Sequence, residues 1–219
     1  MTAAGPFEIY FDFDNTITEF DVLDDFISRF SINEEWKVAE EEWAAGAIGS
    51  RECLERQLAQ VRISPEALAD YLRTIAIDPG FPPILELLRS RGVHPVILSD
   101  SFSEIITAVL AHNGITGIPT FANRMRLEGD RPVISFPYFG SICTTCSNCK
   151  TSHLVRRDRP AGTRKIYVGD GKSDICPAGF CEILFAKGSL FEHYATIRKD
   201  CHPFARLSEV LPRLNLLLS

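Results

Sequence analysis

The stretch FDFDNTITEFD, residues 11–21, places four acidic residues in eleven positions, with Asp12 and Asp14 flanking a single phenylalanine. It follows the apolar, aromatic and β-branched run that reads as a buried strand over residues 7–12. Charge at the end of a buried strand is costly, so two carboxylates one residue apart call for a chemical role.

Beyond this stretch, acidic and aromatic residues recur at helical spacing in DVLDDFISRF, EEWKVAEEEWAAG and ECLERQLAQV. SPEALADYLRTI opens with Ser64 as a candidate N-cap, Pro65 at the first helical position and Glu66 behind it. Residues 18–77 therefore read as a small helical unit inserted after the first strand. DPGFPP marks the return to the main domain. FPPILELLRSRG predicts an amphipathic helix stopped by Gly92, HPVILS a buried strand, and SFSEIITAVLAHNG a helix capped by Ser101 or Ser103 and ended by Gly114. PTFANRMRLEGDRPVISFPYF reads as β-structure turning at GD. A cysteine-rich loop then leads into a helix over residues 150–157. KIYVGD reads as a strand, KSDICPAG as a helix start, EILFAKG as a last short strand and LSEVLPRLNLLL as a helix.

Strands alternating with helices predict an α/β fold with a mostly parallel sheet and right-handed crossovers. The expected organisation is a core of residues 1–17 and 78–219, with residues 18–77 as a helical cap. Ligands of such sheets bind beyond the carboxyl ends of the strands. Asp12 with Asp14, Ser99 with Asp100, and Asp170 with Asp174 all fall at predicted strand ends.

The chain has 219 residues, 45% of them apolar and 24% charged, as in an ordinary globular protein. No run approaches the ~18 uninterrupted apolar residues of a membrane helix. MTAAGPFEIYF lacks a basic segment followed by an apolar core, so no signal peptide and a cytoplasmic protein are expected. A net charge of −6 without a basic tract argues against nucleic acid as the partner. Seven cysteines without an export signal predict reduced thiols or a metal site rather than a disulfide framework.

Carboxylates gathered at one spot raise one another's pKa unless positive charge sits between them. A divalent cation with a preference for oxygen, Mg²⁺, is the expected answer, held by Asp12, Asp170 and the backbone carbonyl of Asp14. Lys150 offers a second positive charge. This set suits phosphoryl transfer, with Ser99 and backbone amides near Phe13, Asp14 and Asp100 bonding the phosphate oxygens. Asp12, ending the strand, is the candidate nucleophile, and Asp14 the acid that protonates the leaving alkoxide and later activates water. Thr16 is expected to brace the loop.

DFDNT (residues 12–16), the strand ending in Ser99, Lys150 and GDGKSD (residues 169–174) resemble, in order and spacing, the motifs of the haloacid dehalogenase superfamily of phosphatases. The resemblance covers residues 7–190. It implies a Rossmann-like core, Asp12 as nucleophile, Asp14 as acid/base, Asp170 as the Mg²⁺ carboxylate and Asp174 in its outer shell. Ser99, Asp100, Thr16 and Asp21 stand as candidate substrate-binding residues. The helical insertion resembles the cap of the phosphoserine-phosphatase branch. GDGKSDICPAG resembles a segment of phosphoethanolamine/phosphocholine and pyridoxal phosphate phosphatases, departing from it at Lys172 and Ser173. CTTCSNCK and ILFAKGSL resemble methionine-salvage enol-phosphatases. The function implied is Mg²⁺-dependent hydrolysis of a small phosphorylated metabolite. A phosphomutase and a non-catalytic phospho-ligand sensor are the alternatives.

Asp21, Asp24 and Asp25 are expected either to complement a helix dipole or to face a cationic substrate group. Trp36 and Trp43, seven residues apart, are expected in the helical unit's core. Cys143, Cys146 and Cys149 form C-x-x-C-x-x-C, which suits zinc if Cys176, Cys181, Cys201, His153 or His202 supplies a fourth ligand. With no second C-x-x-C pair, the pattern reads rather as small side chains in a tight loop aiming Lys150. Cys176 is expected to pack, and the five histidines to lie on the surface or in loops.

Overall fold

The computed structural model describes residues 6–155 and 159–219. Its centre is strand β1 (Phe7–Phe11), paired in parallel with β2 (Pro95–Phe102) on one side and β5 (Arg164–Gly169) on the other. Beyond β2 lie β3 (Thr120–Glu128) and β4 (Arg131–Ser135); beyond β5 lie β6 (Ile183–Ala186) and β7 (Cys201–Pro203). The order is β4-β3-β2-β1-β5-β6-β7, with only the β3–β4 hairpin antiparallel among these seven strands. The hairpin turns at Gly129, whose φ of +64° suits a residue without Cβ.

Because side chains alternate across a strand, the apolar runs feed two cores. Ile9 and Phe11, Ile97, and Ile166 and Val168 face one core. There they meet α5 (Phe81–Ser90), α6 (Ser103–His112) and α10 (Leu207–Leu217). Tyr10, Leu98, Tyr167 and Leu184 face the other, with residues of α7 (Lys150–Val155), α8 (Ile175–Ala178) and α9 (Gly188–Tyr194). Each fully buried Ile, Leu or Phe contributes roughly 1.5–3 kcal/mol.

Between β1 and α5 run α1 (Val22–Phe30), α2 (Glu35–Ala44), α3 (Ser50–Leu58) and α4 (Pro65–Arg73). The chain leaves and returns through one antiparallel bridge, Thr18 with Ile77, and Asp78 N–H donates to the Ile17 carbonyl at 2.8 Å. Ser64 caps α4 by accepting from Ala67 N–H, with Pro65 in the first turn. Asp21 caps α1 in the same way, accepting from Asp24 N–H at 2.9 Å.

Several expectations are corrected. β2 does not stop at Ser99 but continues through a register shift to Phe102, so α6 starts at Ser103 without a side-chain cap from Ser101 or Ser103. EILFAKG is not the last strand; β7 follows it, three residues long at the sheet edge. KSDICPAG opens with a 3₁₀ turn over Lys172–Asp174 before α8. The continuation of α7 over residues 156–158 lies outside the described residues. Among the described helices, none is long and apolar enough to cross a membrane.

Candidate active site

The central strand sets Asp12 at the sheet's carboxyl edge, where its N–H bonds the Val168 carbonyl of β5 at 2.9 Å. The next residues fold tightly over one acceptor: Thr16, Ile17 and Thr18 N–H all donate to the Phe13 carbonyl. Asn15 takes φ +49° to close this loop, a left-handed conformation that asparagine tolerates. The turn places Asn15 Nδ2 at 2.7 Å from Asp170 Oδ2 and Thr16 Oγ1 at 3.4 Å from Asp170 Oδ1. Asp12, Asp170 and Asp174 thereby offer oxygens that all lie within 4.8 Å of one another.

Lys150, first residue of α7, is 3% exposed and spends its ammonium on three partners. It donates to Asp12 Oδ1 at 2.8 Å, Asp174 Oδ1 at 2.7 Å and Ser173 Oγ at 3.0 Å. Burial alone would pull its pKa down; Asp12, Asp174 and Asp100 outweigh that and hold it well above the usual lysine value. Asp174 is fully buried, and both its oxygens are engaged. Oδ1 also takes Tyr167 O–H at 2.7 Å, and Oδ2 takes the N–H groups of Asp170 and Gly171 at 3.0 and 3.1 Å. The side chain is therefore a bracket that aligns Lys150 and the Asp170 loop.

One ammonium does not balance the carboxylates. Burial pushes the Asp12 carboxyl well above its ordinary range; Asp174 adds to this and Lys150 opposes it. Asp170 is pushed up to about 6 by burial and Asp174, against the Asn15 hydrogen bond. Asp14 is raised by burial and by Asp21, against hydrogen bonds from Ser99 Oγ at 3.1 Å and Leu23 N–H at 3.2 Å. The site is short of positive charge, and its donor atoms are all oxygen.

A cavity of about 140 Å³ opens here, lined by Asp12, Asp14, Asp100, Lys150 and Asp170 from the sheet side and by Asp21, Asp24, Glu40 and Trp43 from α1, α2 and their flanks. Ser99 and Thr16 are not in its wall. Ser99 is fully buried and holds Asp14, and Thr16 faces Asp170. Asp100 is in the wall, accepting from Asn148 N–H at 3.3 Å. Asp25 turns away to accept from Tyr71 O–H at 2.9 Å and to pair with Arg29.

Sequence reasoning gave no role to Asn15, Tyr167, Ser173 and Glu40; Asn15, inside DFDNT, and Ser173, inside GDGKSD, carried a local signal. Trp36 packs against the larger core as expected, whereas Trp43 lines the cavity with the Lys172 ammonium 5.9 Å from its ring. Cys176 is exposed rather than packed. His153 is buried in α7, its ring stacked on Phe121 at 4.5 Å, contrary to the expected surface or loop position.

The model of the family "haloacid dehalogenase-like hydrolase" matches residues 9–178. A 2-hydroxy-3-keto-5-methylthiopentenyl-1-phosphate phosphatase of Brevibacillus brevis is 25% identical, covering 93% of this chain and 92% of its own. Pdp3-interacting factor 1 of Schizosaccharomyces pombe is 28% identical, over 88% of this chain and 93% of its own. A substrate-bound phosphoserine phosphatase structure shares the fold with a TM-score of 0.73 at 19% identity, covering 95% of this chain and 98% of that one. With most of its length matched by the family model and the same sheet beneath it, this chain belongs to the haloacid dehalogenase-like hydrolase family.

Proposed function

We propose that the chain hydrolyses small phosphomonoesters, with Asp12 as nucleophile, Asp14 as acid/base and Mg²⁺ as its metal. The observation that carries this reading is the meeting of Asp12, Asp14, Asp170 and Lys150 in one cavity at the carboxyl edge of the sheet. Relatives that bear phosphatase names, the B. brevis protein and a phosphoserine phosphatase of Archaeoglobus fulgidus among them, support it.

The all-oxygen donor set and the surplus of carboxylate fit a hard cation. Asp12, Asp170 and the Asp14 carbonyl would hold Mg²⁺, with Asp174 aligning the group, and the ion supplies charge that neutralises the phosphate oxygens. In the first step an Asp12 oxygen attacks phosphorus and the bond from phosphorus to the leaving oxygen breaks. Asp14, whose raised pKa keeps a proton available, gives it to the departing alkoxide. In the second step Asp14 takes a proton from water, whose oxygen attacks phosphorus. The Asp12–phosphorus bond breaks, and inorganic phosphate leaves. Lys150 holds Asp12 in place and offsets charge on the phosphoryl group.

The segment 18–77 serves as the cap, since α1 and α2 close the cavity opposite the sheet. Asp21, Asp24 and Glu40 give that wall negative charge beside the Trp43 ring, which favours a small leaving group bearing a cation. Phosphate release from a panel of phosphorylated metabolites tests the activity. Asp12→Asn should abolish release while the far-UV circular dichroism stays unchanged. Substantial turnover by a clean Asp12→Asn preparation would remove Asp12 from its role, and transfer without release of phosphate would favour a mutase.

A further inference from the structure

Cys143, Cys146 and Cys149 lie on the loop that ends at Lys150, outside the phosphate chemistry. Cys149 is buried, whereas Cys143 and Cys146 are half-buried and belong to neither apolar core, unlike Cys181. The sulfurs of Cys143 and Cys149 lie 3.9 Å apart, close to the separation of two thiolates each ~2.3 Å from one tetrahedral zinc.

A fourth thiol lines the same cavity as these three. A cavity of about 530 Å³ is lined by Cys143, Cys146, Cys149 and Cys176, the last from the first turn of α8. The other candidates are engaged elsewhere. His153 faces Asn148 Oδ1 at 3.0 Å, Cys181 donates to the Pro177 carbonyl at 3.6 Å, and His202 packs on the Phe185 ring. Lys150 and Lys172 also line this cavity.

We propose that Cys143, Cys146, Cys149 and Cys176 bind a structural Zn²⁺ that fixes the loop before α7. No three of these four sulfurs lie within 4.8 Å of one another, so binding draws Cys146 and Cys176 in around the Cys143–Cys149 pair. Because Cys149 directly precedes Lys150, the ion would anchor the turn that delivers the buried ammonium to Asp12. The site uses sulfur, not the carboxylate oxygens of the hydrolytic cavity, and stands apart from the proposed activity.

Metal analysis of the full chain after exhaustive dialysis tests it. About one zinc per chain should remain in the wild type and in Asp12→Asn/Asp170→Asn, and none in Cys143→Ser/Cys146→Ser. Wild-type protein refilled with Co²⁺ should show thiolate-to-cobalt charge-transfer absorption, weakened in Cys176→Ser by the loss of one thiolate. This readout needs no folded loop variant. Wild type that retains no more zinc than the double serine variant, or gives no thiolate band with Co²⁺, overturns the proposal. An unchanged zinc content in a preparation inactive on every phosphomonoester would sink only the hydrolytic reading.

Discussion

Lys172 Nζ donates to the Ala44 carbonyl at 2.9 Å, joining the loop after β5 to the last residue of α2. The acceptor is one of the carbonyls that a helix end leaves unpaired, at the negative end of its dipole. The same ammonium approaches the Trp43 ring, which lines the cavity. One exposed lysine thus holds the helical wall against the sheet edge. Lys172→Met keeps the stem but removes the donor. An exposed hydrogen bond of about 0.5–1.5 kcal/mol predicts KM rising roughly 3–10-fold with a smaller change in kcat. Equal KM for wild type and variant in steady-state kinetics would leave Lys172 without this role.

Lys150→Met is the severe case. It strands Asp12 and Asp174 in a buried site without their cation. Breaking a buried pair by removing one partner costs about 3–5 kcal/mol, and phosphate release should fall at least about 100-fold. Urea unfolding and the release assay read the two effects separately. A stable, inactive variant would assign Lys150 to chemistry alone.

Asp170 gives a pH signature. Its folded pKa, about 6, lies above the ordinary carboxylate value of 3.8, so between those pH values the folded protein binds more protons than the unfolded chain. Stability contributed by this group is therefore lost as pH rises from about 4 towards 6, not as it falls. In EDTA, wild type should lose about 2–3 kcal/mol relative to Asp170→Asn across that window. Mg²⁺ should restore wild type at neutral pH and leave the variant unmoved. Parallel pH curves for the two proteins in chemical denaturation would exclude the effect.

Asp21→Asn tests the charged wall without unmaking the helix, because asparagine caps as well as aspartate. Catalytic efficiency should fall several-fold for phosphomonoesters whose leaving group bears an ammonium, and change little for neutral ones. Equal losses on both classes would show that charge in this wall does not select substrate.

The strands were legible because their apolar runs are bounded by turn residues, and the turn at Gly129 because few residues but glycine accept its φ. β7 was not, since three residues at a sheet edge carry no period. Serine spacing misled at α6: β2 bends through its register shift and uses Ser99 Oγ to accept from Ser101 N–H at 2.9 Å. The sequence marked the carboxylates at strand ends, but not which of them are saturated. Nothing local in Asp174 foretells four donors from Lys150, Tyr167, Asp170 and Gly171. Trp43 and Cys176 were misjudged for a related reason: an apolar or thiol side chain beside a cavity looks, in one dimension, like one in a core.

Asp78 accepts from Gly80 N–H at 2.8 Å and Leu207 N–H at 3.2 Å, while its own N–H holds Ile17 at the close of the DFDNTI loop. Gly80 lies so near α10 that a Cβ there would sit 2.2 Å from Ser208 N. Two helices and the nucleophile loop are thus knotted at a single residue, Asp78. Trimming α10, or fusing a rigid partner that levers it, would therefore be felt as misplaced aspartates long before the sheet itself came apart.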